Sequence, residues 1–251
     1  MSEAMSAEFD TVAEWTARVA RELGPEYRVP AGCRGSGSPA ALDWLMHHLG
    51  LTEGERLLDC GAGIGGPAAY AVGERAVQPL LVEPEAGAIR ASQSLFGYPA
   101  IRAAASALPL GDDTVDAAWA LGVLCTTEEQ LGLLRELSRV VRRPGRIGLL
   151  VLVAESTRLD EQPEGNHFPT AEALRILIDD ADLRVEACCR ASDLDPISPE
   201  WSGRVDEVTA ELAQRYGGDR AWHQAEHQSA LIGRLIEKGQ VTTDLLALRH
   251  R

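Results

Sequence analysis

Several residue types are scarce in this chain, and each shortage excludes something. Cysteine occurs five times in 251 residues and never as a Cys-x-x-Cys pair. That spacing makes neither a disulfide framework nor a zinc knuckle, so a reducing cytoplasm is the expected setting. Cys188 and Cys189 are neighbours in an expected strand and should point to opposite faces. Lysine is nearly missing: Lys238 stands alone among 24 basic residues, against 38 acidic ones. The formal net charge of −14 argues against nucleic acid, whose phosphates must be met by Lys and Arg, and against anionic membrane surfaces. No apolar run is long enough to span a bilayer. Met1 to Asp10 is polar and acidic, without the basic and apolar regions of a signal peptide. Internal repeats and low-complexity stretches are missing as well. What is left, 45% apolar and 25% charged residues, is the composition of a soluble globular protein. The length suits one large domain or a domain with a cap.

The chain is organised around Leu57-Leu58-Asp59-Cys60-Gly61-Ala62-Gly63-Ile64-Gly65-Gly66-Pro67. Leu57 and Leu58 finish a buried strand, four glycines follow, and Pro67 fits the first turn of a helix, where its missing N–H costs nothing. Glycines let the backbone take strained angles and let a ligand approach without a Cβ in the way. The helix start beyond them supplies free N–H groups. Gly61, Gly63 and Gly66 satisfy G-x-G-x-x-G, the dinucleotide fingerprint. Asp59 argues the other way, because a dinucleotide would place a pyrophosphate at this turn and a carboxylate beside it would repel. An acid there suits a cationic ligand such as S-adenosylmethionine, which carries an ammonium beside its sulfonium. The stretch from Asp59 to Gly65 resembles the first motif of class I S-adenosylmethionine-dependent methyltransferases.

Apolar spacing places helices at Glu8–Leu23 and Pro39–Leu49, the second capped by Ser38, with a loop over Tyr27–Ser38 between them. From Arg56 onward strands and helices alternate, the mark of a parallel sheet with crossover helices. Strands are expected at Arg56–Cys60, Pro79–Val82, Ala100–Ala104, Val115–Leu121 and Ile147–Val153, the last an unbroken apolar run that fits burial on both faces. A helix at Thr170–Asp180 and a strand at Arg184–Arg190 follow. Asp193–Gly239 then breaks the alternation with helices at Arg204–Tyr216 and about Ala221–Lys238, before a last strand at Val241–Arg249.

Glu83 ends the second strand about twenty residues past the glycines, where a carboxylate can accept both ribose hydroxyls of either cofactor class. Ala103-Ala104-Ala105-Ser106-Ala107-Leu108-Pro109 and the following Gly111-Asp112-Asp113 turn resemble the family's next motifs, and Arg143-Pro144-Gly145 resembles its turn before the fifth strand. Many members carry an Asp near Ala104 or Ala105 that holds the adenine amine. With alanine there, the resemblance leaves the adenine to the backbone over Ser106, Ala107 and Leu108, or to the Ser106 hydroxyl. It further implies that Asp59, Gly61, Ala62, Gly63, Gly65, Glu83, Pro84, Ala120 and Leu121 line the cofactor site. The segment Ala120–Cys125 would pass the methionine part and the transferred methyl. A His often stands near Cys125 or Thr126 in the family and does not here.

Two further features need weighing. His223-Gln224-Ala225-Glu226-His227 matches H-x-x-E-H, and two His four apart share a helix face. Without a third ligand or a sheet context, a polar helix face anchored by Trp222 is the better reading, and no metal is expected. His167 follows the fifth strand, at the sheet edge where such sites open, and is the candidate general base. Tyr27, Arg34, Cys125, His167 and Trp222 are the candidate acceptor-side residues.

The fold expected is α/β: a doubly wound, mostly parallel, seven-stranded Rossmann-like sheet with an antiparallel last strand and a helical cap. Residues 1–50 and 193–240 would form the cap; 51–192 and the last strand, 241–251, would form the cofactor-binding core. The function this implies is in-line methyl transfer from S-adenosylmethionine to a small-molecule acceptor, a secondary metabolite being one class that fits. Two alternatives stay open: a nicotinamide (NAD) oxidoreductase using the glycine turn, and a protein that holds S-adenosylmethionine without using its methyl. Neither nucleic acid nor membrane is expected as a partner, and homo-oligomerisation is left open.

Overall fold

A computed structural model of the protein describes residues 7–161 and 163–251; residues 1–6 of the acidic start lie outside that range. A widened turn over Ala7–Val12 runs into helix α1 (Ala13–Leu23), followed by α2 (Pro25–Gly32) and α3 (Pro39–Leu49). Strands and helices then alternate: β1 (Arg56–Cys60), α4 (Gly66–Arg75), β2 (Gln78–Glu83), α5 (Ala86–Leu95), β3 (Ala100–Arg102), β4 (Val115–Leu121), α6 (Gln130–Val140), β5 (Val141–Ala154), α7 (Ala171–Asp180) and β6 (Leu183–Arg190). Helices α8 (Pro199–Tyr216) and α9 (Arg220–Glu237) intervene before β7 (Val241–His250).

The strands form one seven-stranded sheet in the order β3-β2-β1-β4-β5-β7-β6. All neighbours pair in parallel except β7, which runs antiparallel to both β5 and β6. The expected doubly wound sheet with an antiparallel last strand is therefore what the chain builds. Strand β1 is buried on both faces because each face has its own core. Leu58 and Cys60 join Leu133, Leu134 and Leu137 of α6 and Ile178 of α7. On the other face Leu57 packs with Trp119 of β4 and with Leu42, Leu45 and Met46 of α3. The order of strands puts a topological switch between β1 and β4. Chain leaving β1 turns one way and chain leaving β4 the other, which opens a crevice at their C-terminal ends.

Local chemistry sets the helix ends. Ser38, Thr170 and Ser198 each accept a backbone N–H three residues on with their side-chain oxygen, and Asp219 accepts that of Ala221. Asp116, at the start of β4, accepts the Arg56 N–H at 2.7 Å and pairs with Arg142, a structural role.

The expectation of a loop over Tyr27–Ser38 needs correction, since α2 occupies its first half. The density of Pro and Gly there read as loop. Pro25 instead starts the helix, where no N–H is needed, and Pro30, sixth of its eight residues, forfeits a single helical N–H bond. Helix α8 also begins five residues earlier than Arg204, at Pro199.

A third apolar cluster joins the N-terminal helices to the insertion before β7. Val12, Ala17, Val19 and Ala20 pack with Ala31 of α2, Val208 and Leu212 of α8, and Trp222 and Ala225 of α9. Ile64, inside the glycine turn, belongs to the same cluster, as do Ala88, Ala91 and Leu95 of α5. Stacking of Trp15 on Tyr216, with ring centroids 4.1 Å apart, adds to it. The turn is thus packed from above by these helices and from below by the sheet.

Candidate active site

The glycine turn follows β1 and is held almost wholly by the protein's own acceptors. Gly61 and Ala62 donate their N–H groups to the Val82 carbonyl at 2.7 and 3.1 Å, and Gly65 donates to Ala62 at 2.9 Å. The Gly63 N–H goes to Glu83 Oε2 at 2.9 Å. Gly61 has φ +74°, and a Cβ there would also meet Val123 at 2.4 Å, so only glycine serves. At the start of α4 a Cβ on Gly66 would lie 2.1 Å from the carbonyl carbon of Gly32. Backbone meets backbone there, and α2 covers the beginning of α4.

Two acids sit beneath and beside the turn. Asp59 is 1% exposed, and its Oδ2 has no hydrogen-bond partner among the described residues. Burial pushes its pKa up to about 7; the nearby Trp119 indole lowers it, the Glu83 charge raises it and the Ala68 amide lowers it. The indole contact is no full hydrogen bond, because Trp119 Nε1 is itself buried without a partner. Glu83 is 6% exposed and accepts the Gly63 N–H on one oxygen and the Glu85 N–H, at 3.1 Å, on the other. Burial raises its pKa and these two amides draw it back. Each carboxylate oxygen has a second lone pair, so Glu83 braces the turn and keeps acceptor capacity. Pro84, next in the chain, accepts Arg102 Nε on its carbonyl at 2.9 Å.

The adenine side differs from expectation in its backbone. The Leu108 N–H is taken by Glu136 Oε2 at 2.7 Å, and the Ala107 N–H by the Ala104 carbonyl at 3.1 Å. Arg139 ties that turn down through Glu136, Asp112 and the carbonyls of Leu108 and Leu110. The Ser106 hydroxyl donates to Glu129. This turn is rigid, but the amides of Ala107 and Leu108 are already bonded, which leaves the Ser106–Glu129 pair as its polar face. Ala120 and Leu121 end β4 as buried residues. Gly122 follows at φ +78°, with the Gly35 carbonyl 3.1 Å from where a Cβ would stand. The segment between α2 and α3 therefore crosses over the end of β4.

The acceptor-side candidates fall into two groups. Cys125 and His167 are joined, since the His167 N–H donates to the Cys125 carbonyl at 2.7 Å. Gln130 Nε2 bridges the carbonyls of Leu124 and His167 at 2.9 and 2.7 Å. The His167 ring stands 3.7 Å from Glu128. Cys125 is buried, donates to the Gly122 carbonyl and has its pKa pushed up to about 11 by burial. The second group is Tyr27, Arg34 and Trp222. Arg34 pairs with Glu226 at 2.9 Å and lies 6.0 Å from the centre of the Trp222 ring. Tyr27 packs in the Trp222 cluster and donates to Glu207 at 2.7 Å. Glu164 lines one depression with Gln130 and His167 and another with His223 and His227 of α9. Glu226, the acid of the H-x-x-E-H match, is engaged by Arg34 instead. Among the described residues no cluster of His, Cys, Asp or Glu has metal-binding geometry.

With sheet order, glycine turn and strand-end acid described, comparison with known proteins points to similar folds. Residues 58–149 match the family of methyltransferase domains. No curated protein matches the sequence significantly. Solved structures share the fold. The [4+2]-cyclase SpnF is 23% identical, with a TM-score of 0.65 over 83% of this chain and 79% of that one. The cyclopropane synthase MmaA2 from Mycobacterium tuberculosis is 14% identical, with a TM-score of 0.66 over 84% and 83%. Geranyl diphosphate C-methyltransferase from Streptomyces coelicolor A3(2) is 16% identical, with a TM-score of 0.60 over 84% and 80%. Residues 58–149 of this chain are thus similar to a methyltransferase domain, and its seven-stranded fold is the one these solved structures share.

Proposed function

We propose that the protein transfers a methyl group from S-adenosylmethionine to a small-molecule acceptor bound between the crevice and the helices that pack over it. The carrying observation is the pairing of a glycine turn whose Gly61, Ala62, Gly63 and Gly65 amides are already bonded with a buried, partly unpartnered acid. Four turn amides already have protein acceptors, and the start of α4 is covered by Gly32. A pyrophosphate needs those donors, so the nicotinamide reading loses its anchor. A ligand with a cationic end matches Asp59 instead.

The bound cofactor supplies an electrophilic methyl, and the chain's contribution is positioning. Asp59 offers a carboxylate to the ammonium, and Glu83 offers its remaining lone pairs to the ribose hydroxyls. Ser106 with Glu129 presents acceptors to the adenine amine. Leu121, Gly122 and Val123 form the floor on which reacting groups meet. The apolar cluster around Trp222 excludes water above it. His167, whose N–H donates to the Cys125 carbonyl in the loop after β4, is the residue that would take a proton from a hydroxyl acceptor in this reading. The net charge of −14 favours a small neutral or cationic acceptor over nucleic acid. No helix among the described residues is long and apolar enough to cross a membrane. Residues 1–50 and 193–240 act as the cap in this reading.

The test is incubation with methyl-labelled S-adenosylmethionine and fractionated small-molecule extract, with S-adenosylhomocysteine release followed alongside label transfer. Label moving to a small organic product, with equimolar S-adenosylhomocysteine, supports the proposal. An acceptor-dependent rearrangement without S-adenosylhomocysteine would show a role like that in the name of SpnF, a cyclase of the same fold.

A further inference from the structure

Two buried polar side chains meet in the sheet beneath the glycine turn, and neither is satisfied. In the register of the parallel pair β1 and β4, Asp59 stands opposite Trp119. Side chains two apart on a strand share a face, so Asp59 lies on the face of Leu57, where Trp119 packs. Trp119 is fully buried and Asp59 is 1% exposed. The indole Nε1 and the carboxyl Oδ2 are both shut off from solvent, and neither has a hydrogen-bond partner among the described residues. Buried polar atoms without partners are rare in folded proteins. An indole offers one donor and no acceptor, and the oxygen opposite it is the acceptor it lacks.

The other groups that reach Asp59 are few. From α4 the Ala68 amide, in the helix's first turn, faces it. From β2 Glu83 adds a negative charge. Cys33, on the segment after α2, and Cys60, next in β1, are thiols that burial holds protonated. Tyr70, further along α4, gives its hydroxyl to Asp43 of α3 at 3.2 Å, and burial keeps that phenol protonated as well. No lysine, arginine or histidine is among the groups that act on Asp59. A charge on this carboxyl therefore rests on two N–H dipoles, the Trp119 indole and the Ala68 amide, and on whatever cation binds.

We infer that Trp119 is the positioning residue for Asp59, its indole N–H closing onto Oδ2 as the carboxyl ionises, so that the pair forms one proton-linked latch for a cationic ligand. A hydrogen bond to an ionised acceptor is about twice as strong as one between neutral groups. The indole contact is thus slack while Asp59 holds its proton and tight once Asp59 is an anion. The carboxyl proton leaves to solvent, and the indole keeps its own. This deepens the proposed function, on which it rests for the identity of the cation, the ammonium of S-adenosylmethionine.

The experiment follows the indole N–H signals of the isotope-labelled, full-length protein by NMR, first without ligand. The chain has five tryptophans, and the Trp119 signal is the one lost in Trp119→Phe. In wild type it should move downfield as pH rises, with a midpoint at about pH 7, and it should stay still in Asp59→Asn. S-adenosylhomocysteine added to wild type at mildly acidic pH should carry the same signal to its high-pH position. Calorimetry supplies the second measurement. Losing a bond to a charged group raises the acid's midpoint by about one pH unit, so Trp119→Phe should bind S-adenosylhomocysteine roughly fivefold more weakly than wild type at neutral pH and equally well two pH units higher. A merely structural indole would lower affinity by one factor at every pH, and that result overturns the latch. So does the lack of any indole signal whose titration is abolished in Asp59→Asn, a comparison that decides the matter even if Trp119→Phe does not fold. If the Trp119 signal titrates with Asp59 but S-adenosylhomocysteine does not bind wild type, the pairing stands and the cofactor reading has failed.

Discussion

Replacing Glu83 by alanine tests two roles with one substitution. In the structure each oxygen of Glu83 already accepts a backbone N–H, from Gly63 at 2.9 Å and from Glu85 at 3.1 Å, at a site 6% exposed. Removing the carboxylate leaves both amides without an acceptor in a buried place. Each such orphan costs about 1–3 kcal/mol, so the ligand-free protein should lose about 2–4 kcal/mol in chemical denaturation, since some water will enter the vacated space. Loss of the ribose contacts, at about 1.5–3 kcal/mol per charge-assisted bond, should weaken S-adenosylhomocysteine by a hundredfold or more. Glu83→Gln separates the roles: its one amide oxygen can keep a single backbone N–H but not both amides and the ribose. It should fall between wild type and alanine in stability and near alanine in affinity. Denaturant titration gives the first quantity and calorimetry the second. A folded Glu83→Ala protein with unchanged affinity would remove Glu83 from the ribose site and leave it a brace for the turn.

Asp59 makes stability depend on pH. Its folded pKa, about 7, lies above the ordinary value near 4, so the folded state holds a proton that the unfolded state releases. Its contribution to stability should be fully present below about pH 4 and be lost as pH rises through about 7. Asp59→Asn should flatten that decline in pH-resolved melting curves, and a profile identical to wild type would contradict it. S-adenosylhomocysteine affinity of wild type should rise with pH over the same window, as the carboxylate ionises to meet the ammonium, and stay level in Asp59→Asn. His167→Ala should leave S-adenosylhomocysteine affinity nearly intact and cut turnover by about a hundredfold or more once an acceptor is known; a fall under about threefold, far short of that range, makes His167 a loop residue only. Elemental analysis should find no zinc on purified protein, and stoichiometric zinc lost in His223→Ala, His227→Ala would show that the H-x-x-E-H match is a metal site.

Much of the fold could be read from the chain because the core strands are short, apolar and punctuated by glycine. Arg56–Cys60 and Val115–Leu121 have the bounds that apolar runs and turns marked. The antiparallel place of β7 came from family resemblance, since Val241–His250 alternates only partly. Helix α2 was hidden by Pro25, Pro30 and Gly32, which read locally as loop while tertiary packing on Gly66 makes them helix. In the site, Glu83 and the glycines were visible because their spacing is a backbone requirement. That the turn's amides are taken was not visible, as Gly61 to Val82 is a contact between strands. Nor was the Leu108–Glu136 bond, which spans 28 residues. The His167–Cys125 link likewise joins two loops that only the sheet brings together.

The central claim is that this crevice holds S-adenosylmethionine and not a dinucleotide, and calorimetric titration of the purified protein with S-adenosylhomocysteine and, separately, with NAD tests it most directly. The account predicts saturable one-to-one binding of S-adenosylhomocysteine, weakened in Glu83→Ala, and no measurable heat with NAD. Saturable binding of NAD with none of S-adenosylhomocysteine would contradict it.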